Sequence, residues 1–270
     1  MTAAPDDGLQ ALLTQVERSR GLSLRSYKDK CLRRRLAVRM RAAGVHTYGE
    51  YAALLGRAPE EFELLVTALA INVTKFFRNP ETYEALRRLV VAPLWQRGTP
   101  VKVWSAGCAS GEEPYSLALL FLEAADHRAS AVRGRVRIDA TDLDPGALDD
   151  LRRAEYPLPA VEDLPPALLE RYFSPGPPYR LDPHVAACVR AIRHDLTREA
   201  APDPPYDLIV CRNVVIYFDR PMQERLFDAF TDALVPGGHL LLGKVETLFG
   251  PARSRLLLEE ARERLYRRPP

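Results

Sequence analysis

Two patterns of hydrophobic and polar positions divide the chain. Over the first 70 residues, apolar positions such as Leu9, Leu12 and Val16 recur at helical spacing, and no convincing strand interrupts them. After this first helix, the pattern predicts three more: 26–43, one starting near Thr47, and 59–70. Glu50 stands where a capping box at Thr47 needs a carboxylate. We therefore expect a small all-helical domain over residues 1–75.

From residue 76 onward, short apolar runs alternate with amphipathic segments. A helix is predicted over 80–95. The predicted strands then cover 101–105, 135–141, 207–212 and 238–243, and the helices between them cover 112–125, 145–153 and 221–234. Strict alternation of strand and helix is typical of an α/β protein with a doubly wound, mainly parallel sheet. We expect such a Rossmann-like domain over residues 76–270.

The stretch 155–206 departs from this alternation because it is rich in proline. It predicts one helix near 165–172 and short β-like pieces around 178–182 and 186–193. We interpret it as an elaborated connection, with a small β-subdomain inserted at about 155–195.

Composition narrows the class of protein. The chain has 270 residues, is 47% hydrophobic, and carries a net charge of only +2, which is too little for a dedicated nucleic-acid binder. Residues 1–75 hold 12 Lys and Arg against 8 Asp and Glu, so the helical part is mildly basic. No apolar run reaches the ~20 residues of a membrane span, the N-terminus lacks signal-peptide character, and the four cysteines are scattered. We expect a cytoplasmic protein with no metal site and no membrane insertion.

The segment WSAGCASGEEPYSLALL, residues 104–120, carries the first candidate chemistry. Its small residues would let a ligand approach the backbone closely, but no G-x-G-x-x-G or G-K-[ST] pattern supports phosphate binding. Glu112 and Glu113 open the following helix. They could merely complement the helix dipole, or one of them could attract an ammonium or sulfonium group.

Two further predicted strand ends carry polar residues. Asp142 ends the second strand, where an acid accepts hydrogen bonds from ribose hydroxyls, although a loop or cap role is the alternative; Asp144, before Pro145, is typical of a helix N-cap. Arg212 follows the strand of DLIVCRNVVIYFD and could be an ordinary ion-pair partner. An acid-ended strand without a phosphate loop favours a nucleoside ligand lacking phosphates, and S-adenosylmethionine fits this description.

Taken together, the phrases NVTKFFRNP, VWSAGCASGEEPYSLA, ATDLD, CRNVVIYFD and LVPGGHLLLG resemble the CheR family of chemotaxis receptor glutamate O-methyltransferases. They recur in the family's order over about 170 residues. The resemblance implies S-adenosylmethionine as methyl donor and S-adenosylhomocysteine as product. It implies donor contacts from nine residues: Asn72, Thr74, Arg78, Glu113, Asp142, Asp195, Leu196, Arg212 and Asn213. It also places Tyr217 near the reacting methyl group, and with Arg78 this gives two candidate catalytic residues.

The resemblance gives the basic helix of the first domain a use. Lys30, Arg33, Arg34 and Arg41 fall on one helical face, which could be simply solvated or could bind the acidic helices of a receptor's cytoplasmic domain. One departure concerns tethering. Some family members dock a receptor's C-terminal pentapeptide on a glycine-rich hairpin loop, and here proline, tyrosine and aspartate replace those glycines. The sequence therefore predicts an enzyme that works without the tether.

Three alternatives stay open at the level of sequence. The same donor could serve an RNA or small-molecule methyltransferase. A regulatory module that binds the donor without catalysis would show a broken NxTxFFR or RNVxIYF motif, and both are intact. An NAD-dependent dehydrogenase is disfavoured by the missing phosphate loop. Which receptor and which glutamates are modified, the output of the pathway, and the oligomeric state are not specified by the sequence.

Overall fold

The computed structural model describes residues 5–20, 22–70 and 74–270. The chain folds as two compact units, and each is considered separately. The first consists of residues 1–71 together with 216–223, and the second consists of 72–215 and 224–270. None of the helices in the described ranges is long and apolar enough to cross a membrane.

The described residues of the first unit form the four predicted α-helices, α1 (Pro5–Arg20), α2 (Asp29–Ala42), α3 (Tyr48–Arg57) and α4 (Pro59–Leu69), and a 3-10 turn at Leu24–Ser26. The capping box at the start of α3 is present, since Thr47 accepts the Glu50 N–H and the Glu50 carboxylate accepts the Thr47 N–H. Segment 216–223 joins these helices through backbone hydrogen bonds and an edge-to-face contact between Tyr27 and Phe218.

A buried ionic group connects three helices of this unit. Glu61 on α4 accepts two hydrogen bonds from Arg39 on α2, at 3.0 and 2.6 Å, and a third from the Tyr51 hydroxyl on α3 at 2.8 Å. Burial acts to raise the pKa of Glu61, but the hydrogen bonds from Arg39 and Tyr51 outweigh it, so that pKa is lowered.

The described residues of the second unit form nine strands: β1 (Val101–Ala106), β2 (Val136–Asp142), β3 (Glu155–Tyr156), β4 (Tyr179–Arg180), β5 (Val189–Arg193), β6 (Tyr206–Cys211), β7 (Leu234–Leu242), β8 (Leu257–Glu260) and β9 (Leu265–Arg267). Seven of them form one sheet in the order β5-β2-β1-β6-β7-β9-β8, and β3 pairs with β4 in a separate hairpin. The first five strands of the sheet are parallel, and β9 runs antiparallel to both β7 and β8. This confirms the predicted doubly wound α/β class.

The helices between residues 80 and 255 include all five that the sequence predicts, at 80–95, 112–125, 145–153, 165–172 and 221–234, and four short ones that it does not predict. They are α5 (Pro80–Leu86), continued through a π-helical turn at Arg87–Val91 into α6 (Ala92–Gln96), then α7 (Glu112–Ala124), α8 (Ala129–Arg133), α9 (Pro145–Arg153), α10 (Leu158–Val161), α11 (Pro166–Tyr172), α12 (Pro183–Ala186), α13 (Arg220–Ala233) and α14 (Ala252–Arg255). Strand β6 is buried along its whole length, because it lies at the centre of the sheet between β1 and β7.

Two features differ from the sequence prediction. The predicted insertion extends to about residue 195, but β5 pairs with β2 along the edge of the main sheet, so the elaborated segment ends before Val189. The pattern there is ambiguous because β5 is an edge strand that alternates partly buried residues with the exposed Arg190 and Arg193. The C-terminal hairpin of β8 and β9 is not predicted, since its strands are short and rich in charge.

Candidate active site

The loop between β1 and α7 lies at the carboxyl ends of the parallel strands. Gly107 and Gly111 adopt φ angles of +80° and +101°, and a Cβ at Gly107 would lie 2.4 Å from a methyl group of Val214. The N–H groups of Gly107 and Cys108 donate to the Thr141 carbonyl at 2.8 and 2.9 Å. The loop is thus fixed against β2 at the carboxyl ends of the strands, where ligands bind in sheets of this class.

Asp142 connects this loop to the end of β2. Its carboxylate accepts the Ala109 N–H at 2.9 Å and the Asp144 N–H at 3.0 Å, and it is 8% exposed. Burial raises the pKa of Asp142, and the backbone hydrogen bonds offset this only in part. The cap role falls to Asp144, which accepts the Gly146 N–H at the start of α9. Asp142 is therefore a buried carboxylate that the helix does not need as its cap.

Glu113 lies in the first turn of α7, with its side chain 12% exposed. One carboxylate oxygen accepts the Ser105 hydroxyl at 2.8 Å, and the other lies 3.8 Å from a guanidinium nitrogen of Arg212. Burial raises the pKa of Glu113, even though the charge of Arg212 and the hydrogen bond from Ser105 lower it. The negative charge of Glu113 is thus only partly compensated by the chain.

Glu112 has a different environment from its neighbour. Its carboxylate accepts the Ser110 hydroxyl, and its backbone carbonyl accepts the Ser116 hydroxyl at 2.6 Å. The same Ser116 oxygen accepts the Phe77 N–H at 3.0 Å. Glu112 therefore supports the loop and the chain that crosses it.

Arg212 joins three parts of the site. Its guanidinium donates to the Arg78 carbonyl at 2.9 Å and to the Asn79 side-chain oxygen at 2.8 Å, besides its approach to Glu113. The group lies 5.6 Å from the centre of the Tyr83 ring, a cation–π arrangement. Its Nε atom is buried without a hydrogen-bond partner among the described residues. Arg212 is thus more than an ordinary ion-pair partner.

Residues 74–79 cross the site between α7 and the proline-rich segment. Phe76 packs edge-to-face on Tyr156 and Phe173, and its N–H donates to the Ala160 carbonyl at 2.9 Å. Thr74 and Arg78 are half-buried, and the charge of Arg78 acts on Glu113. Asn72, a predicted donor contact, lies outside the described residues.

Asp195 and Leu196 follow the end of β5, next to Asp142. The His194 N–H donates to the Asp142 carbonyl at 2.9 Å, which fixes this chain end beside β2. The Asp195 carboxylate accepts the N–H and the hydroxyl of Thr197, at 2.8 and 2.7 Å. Leu196 is half-buried.

The backbone of Asn213 contacts Glu246, a residue that the sequence analysis did not identify. Asn213 has a left-handed φ of 60°, and its N–H donates to the carboxylate of Glu246 at 3.0 Å. Glu246 is 3% exposed, and its charge raises the pKa of Glu113. The available signal was a glutamate shortly after the end of β7, but only the pairing of β6 with β7 brings it to Asn213.

The remaining predicted residues belong to the first unit. The Tyr217 carbonyl accepts the Lys28 N–H at 2.9 Å, and its side chain is half-buried. On α2, the side chains of Lys30, Arg34 and Arg41 are exposed. Arg33 is less exposed and pairs with Asp29 at 2.8 Å.

The site as a whole fits a zwitterionic nucleoside. Glu113 carries a carboxylate that the chain compensates only in part, and the charges of Arg212 and Arg78 act on it. Asp142 offers a second acid at the next strand end. Two such acids are chemically complementary to an ammonium group and to ribose hydroxyls, both of which S-adenosylmethionine carries. Fold and site together define a methyltransferase that uses S-adenosylmethionine.

Comparison with known families gives the same class and narrows it. The S-adenosylmethionine-binding domain of CheR methyltransferases matches residues 72–263, and the all-alpha domain of the same family matches residues 7–70. The chain belongs to the CheR methyltransferase family. Its two domain matches meet at residues 70–72, close to the boundary between the two compact units.

Three curated relatives are matched over most of their length. The chain is 34% identical to chemotaxis protein methyltransferase 2 of Pseudomonas aeruginosa, covering 89% of this chain and 86% of that protein. It is 34% identical to the chemotaxis protein methyltransferase of Listeria innocua, covering 88% of each. For the Klebsiella aerogenes protein of the same name the identity is 35%, over 84% of this chain and 78% of that one.

Proposed function

We propose that this chain transfers the methyl group of S-adenosylmethionine to glutamate side chains of chemotaxis receptors. The donor supplies a methyl group already activated on a positively charged sulfur. A free glutamate has a pKa near ~4.3, so its carboxylate is ionised at neutral pH and needs no general base. Forming the carboxylate–methyl bond and breaking the methyl–sulfur bond gives a methyl ester and S-adenosylhomocysteine, with both charges neutralised and no proton released.

The observation that carries this proposal is the Glu113–Arg212 pair at the strand ends. A buried carboxylate that is only partly compensated costs free energy in the free enzyme, and a bound ammonium group recovers it. The chain's contribution to the chemistry is then positioning of donor and acceptor in line. The names of the relatives support chemotaxis receptors as the acceptor.

Transfer from radiolabelled donor onto purified receptor cytoplasmic domains tests the proposal directly. We expect label on the receptor that mild base releases as methanol, because a carboxylate methyl ester hydrolyses readily. A total RNA fraction and a pool of small metabolites serve as competing acceptors. Label found only on RNA or on a small molecule would contradict the receptor assignment.

We further propose that Arg78 orients the acceptor carboxylate. Removing one charged hydrogen-bond donor that acts on the reacting group costs on the order of a hundredfold in rate. Arg78→Ala should therefore cripple transfer, whereas Arg88→Ala, which removes an exposed arginine of the same unit, should not. Normal turnover by Arg78→Ala, with donor affinity intact, would remove Arg78 from this role.

The basic face of α2 is proposed to bind the acidic receptor helices. Exposed charges act mainly on the association rate, and salt screens them. The double variant Arg33→Glu/Arg34→Glu should slow receptor methylation, most strongly at low salt. Arg152→Glu/Arg153→Glu on α9 makes the same charge change on exposed positions and is the matched control. Equal rates for both variants would make α2 a solvated face only.

We also propose that the enzyme needs no C-terminal pentapeptide on its receptor. A docked peptide adds a strand to an exposed sheet edge, and here β3 and β4 have only two residues each. Receptor domains with and without their last five residues should be methylated at equal rates. A large loss on removing those residues would contradict tether independence.

A further inference from the structure

Glu246 closes a tight turn directly after β7. Its N–H donates to the Gly243 carbonyl at 2.8 Å, and one oxygen of its side chain returns to accept the Gly243 N–H at 2.6 Å. A Cβ at Gly243 would lie 2.6 Å from that oxygen and 2.9 Å from the Asn213 nitrogen. Only glycine leaves room for the carboxylate at this point, so the turn and the buried acid depend on each other.

The same oxygen bridges two strand ends. Cys211 and Leu242 are the last paired residues of β6 and β7, and Asn213 and Gly243 follow them. Because Glu246 accepts both N–H groups, it fixes the backbone of Asn213 in its left-handed conformation directly after Arg212. Without the Glu246 carboxylate, the buried N–H of Gly243 and the part-buried N–H of Asn213 would lose the acceptor that they share.

We propose that Glu246 is a positioning residue of the methyl-donor site, acting through the Asn213 backbone rather than by touching the acceptor glutamate. This inference rests on the proposed donor site. It assigns a role to a buried acid that the reaction as described above does not use.

The charge of Glu246 gives this role a measurable signature. Three charged groups act on Glu113: Arg212 and Arg78 lower its pKa, and Glu246 raises it, in addition to the larger effect of burial. Binding of the donor's ammonium group needs Glu113 ionised, so affinity is lost as the pH falls through the raised pKa of Glu113. Asp142, whose pKa is also raised by burial, adds its own step at the ribose end.

Two substitutions separate the hydrogen bonds from the charge. Glu246→Gln keeps an oxygen that can accept both N–H groups and removes the charge, whereas Glu246→Ala removes both. We expect Glu246→Gln to bind S-adenosylhomocysteine within about threefold of wild type, and Glu246→Ala to bind about tenfold more weakly or worse, because two backbone donors lose their acceptor. The pH midpoint of binding should move lower in Glu246→Gln, since a negative neighbour of Glu113 is gone. Glu260→Ala, a glutamate on the C-terminal hairpin, should change neither quantity.

The outcomes are distinct. Wild-type affinity in Glu246→Ala would overturn the proposal, and so would a tenfold loss of affinity in Glu246→Gln, which keeps an oxygen that accepts both N–H groups. The second result decides the question even if thermal melting shows that the alanine variant does not fold. Failure of wild-type protein to bind S-adenosylhomocysteine would instead contradict the donor site itself.

Discussion

Two buried glutamates, one in each unit, have opposite electrostatic environments. Glu61 in the helical unit receives two hydrogen bonds from Arg39 and one from Tyr51, and its pKa is lowered. Glu113 in the sheet unit has one hydroxyl donor and a guanidinium at 3.8 Å, and its pKa is raised. Both are acids on helices, and both lie below the surface.

The opposite pKa shifts of these two glutamates distinguish a carboxylate that stabilises the fold from one that is available to a ligand. A fully paired carboxylate holds helices in register, and the structure alone satisfies it. An incompletely paired carboxylate at strand ends costs stability in the free protein, and such a cost is typical of functional sites. The predictions below remove or titrate these charges, starting with the largest expected effect.

Replacing Arg212 by methionine should have the largest consequence. Glu113 then loses its nearest cation, and the Arg78–Asn79 corner loses two hydrogen bonds. Breaking a buried pair on one side costs about 3–5 kcal/mol of unfolding free energy. Because Arg212 also fixes the groups around Glu113, methyl transfer by the folded variant should fall about a hundredfold, as it does when one preorganised donor is lost.

Arg97→Met is the matched control for this variant. Arg97 pairs with Asp207 near the amino end of the same strand β6, away from the strand ends that carry the site. Its transfer rate should stay within a few-fold of wild type, and equal losses in the two variants would mean that Arg212 only stabilises the sheet.

Glu61→Gln should destabilise the protein without affecting the donor site. The substitution leaves Arg39 without its carboxylate, which should cost about 2–3 kcal/mol of unfolding free energy, somewhat less than a fully sealed pair because Arg39 reaches the surface. Urea unfolding measures this loss. Affinity for S-adenosylhomocysteine, measured at a temperature where the variant is folded, should equal that of wild type.

Glu113→Gln should not destabilise the protein as Glu61→Gln does, and its effect on the unfolding free energy should be smaller and of opposite sign. A carboxyl whose folded pKa is raised binds protons more tightly in the native state, so it costs stability above that pKa, and the cost disappears as the pH falls toward the ordinary value of 4.5. The ligand-free variant should therefore be as stable as wild type or more stable at neutral pH, with a gap that closes on acidification.

The contribution of Glu61 to the unfolding free energy should depend on pH in the opposite direction. Its folded pKa is lowered, so its contribution is complete above 4.5 and is lost as the pH falls through the folded value. Unfolding curves of wild type and both glutamine variants between neutral pH and about pH 3 compare the two signs. If both variants differed from wild type in unfolding free energy with the same sign, the proposed difference between Glu61 and Glu113 would be contradicted.

Much of this architecture follows from local sequence signals. Three kinds of feature could be predicted because each depends on residues only a few positions apart. They are the helix starts at Thr47 and Asp144, the loop glycines, and the acid that ends β2. The sequence identifies Glu112 and Glu113 as candidates. It cannot assign their different roles, because these depend on which partner each side chain contacts in the fold.

What the sequence could not predict depends on contacts between distant segments. Glu246 meets Asn213 only because β6 and β7 pair in parallel, 33 positions apart. The sequence does not distinguish Arg212 from an ordinary ion-pair arginine, because its hydrogen bond to the Arg78 carbonyl joins distant parts of the chain. Strand β5 carries exposed arginines, because one of its edges has no neighbouring strand, and so lacks the apolar signal of the central strands.

Calorimetric titration of S-adenosylhomocysteine into wild type, Glu113→Gln and Glu61→Gln tests the central claim most directly. A lost charged hydrogen bond to the ligand's ammonium group should weaken binding about 10–100-fold in Glu113→Gln and leave Glu61→Gln unchanged. Equal affinities for wild type and Glu113→Gln would contradict the assignment of Glu113 as the ammonium partner.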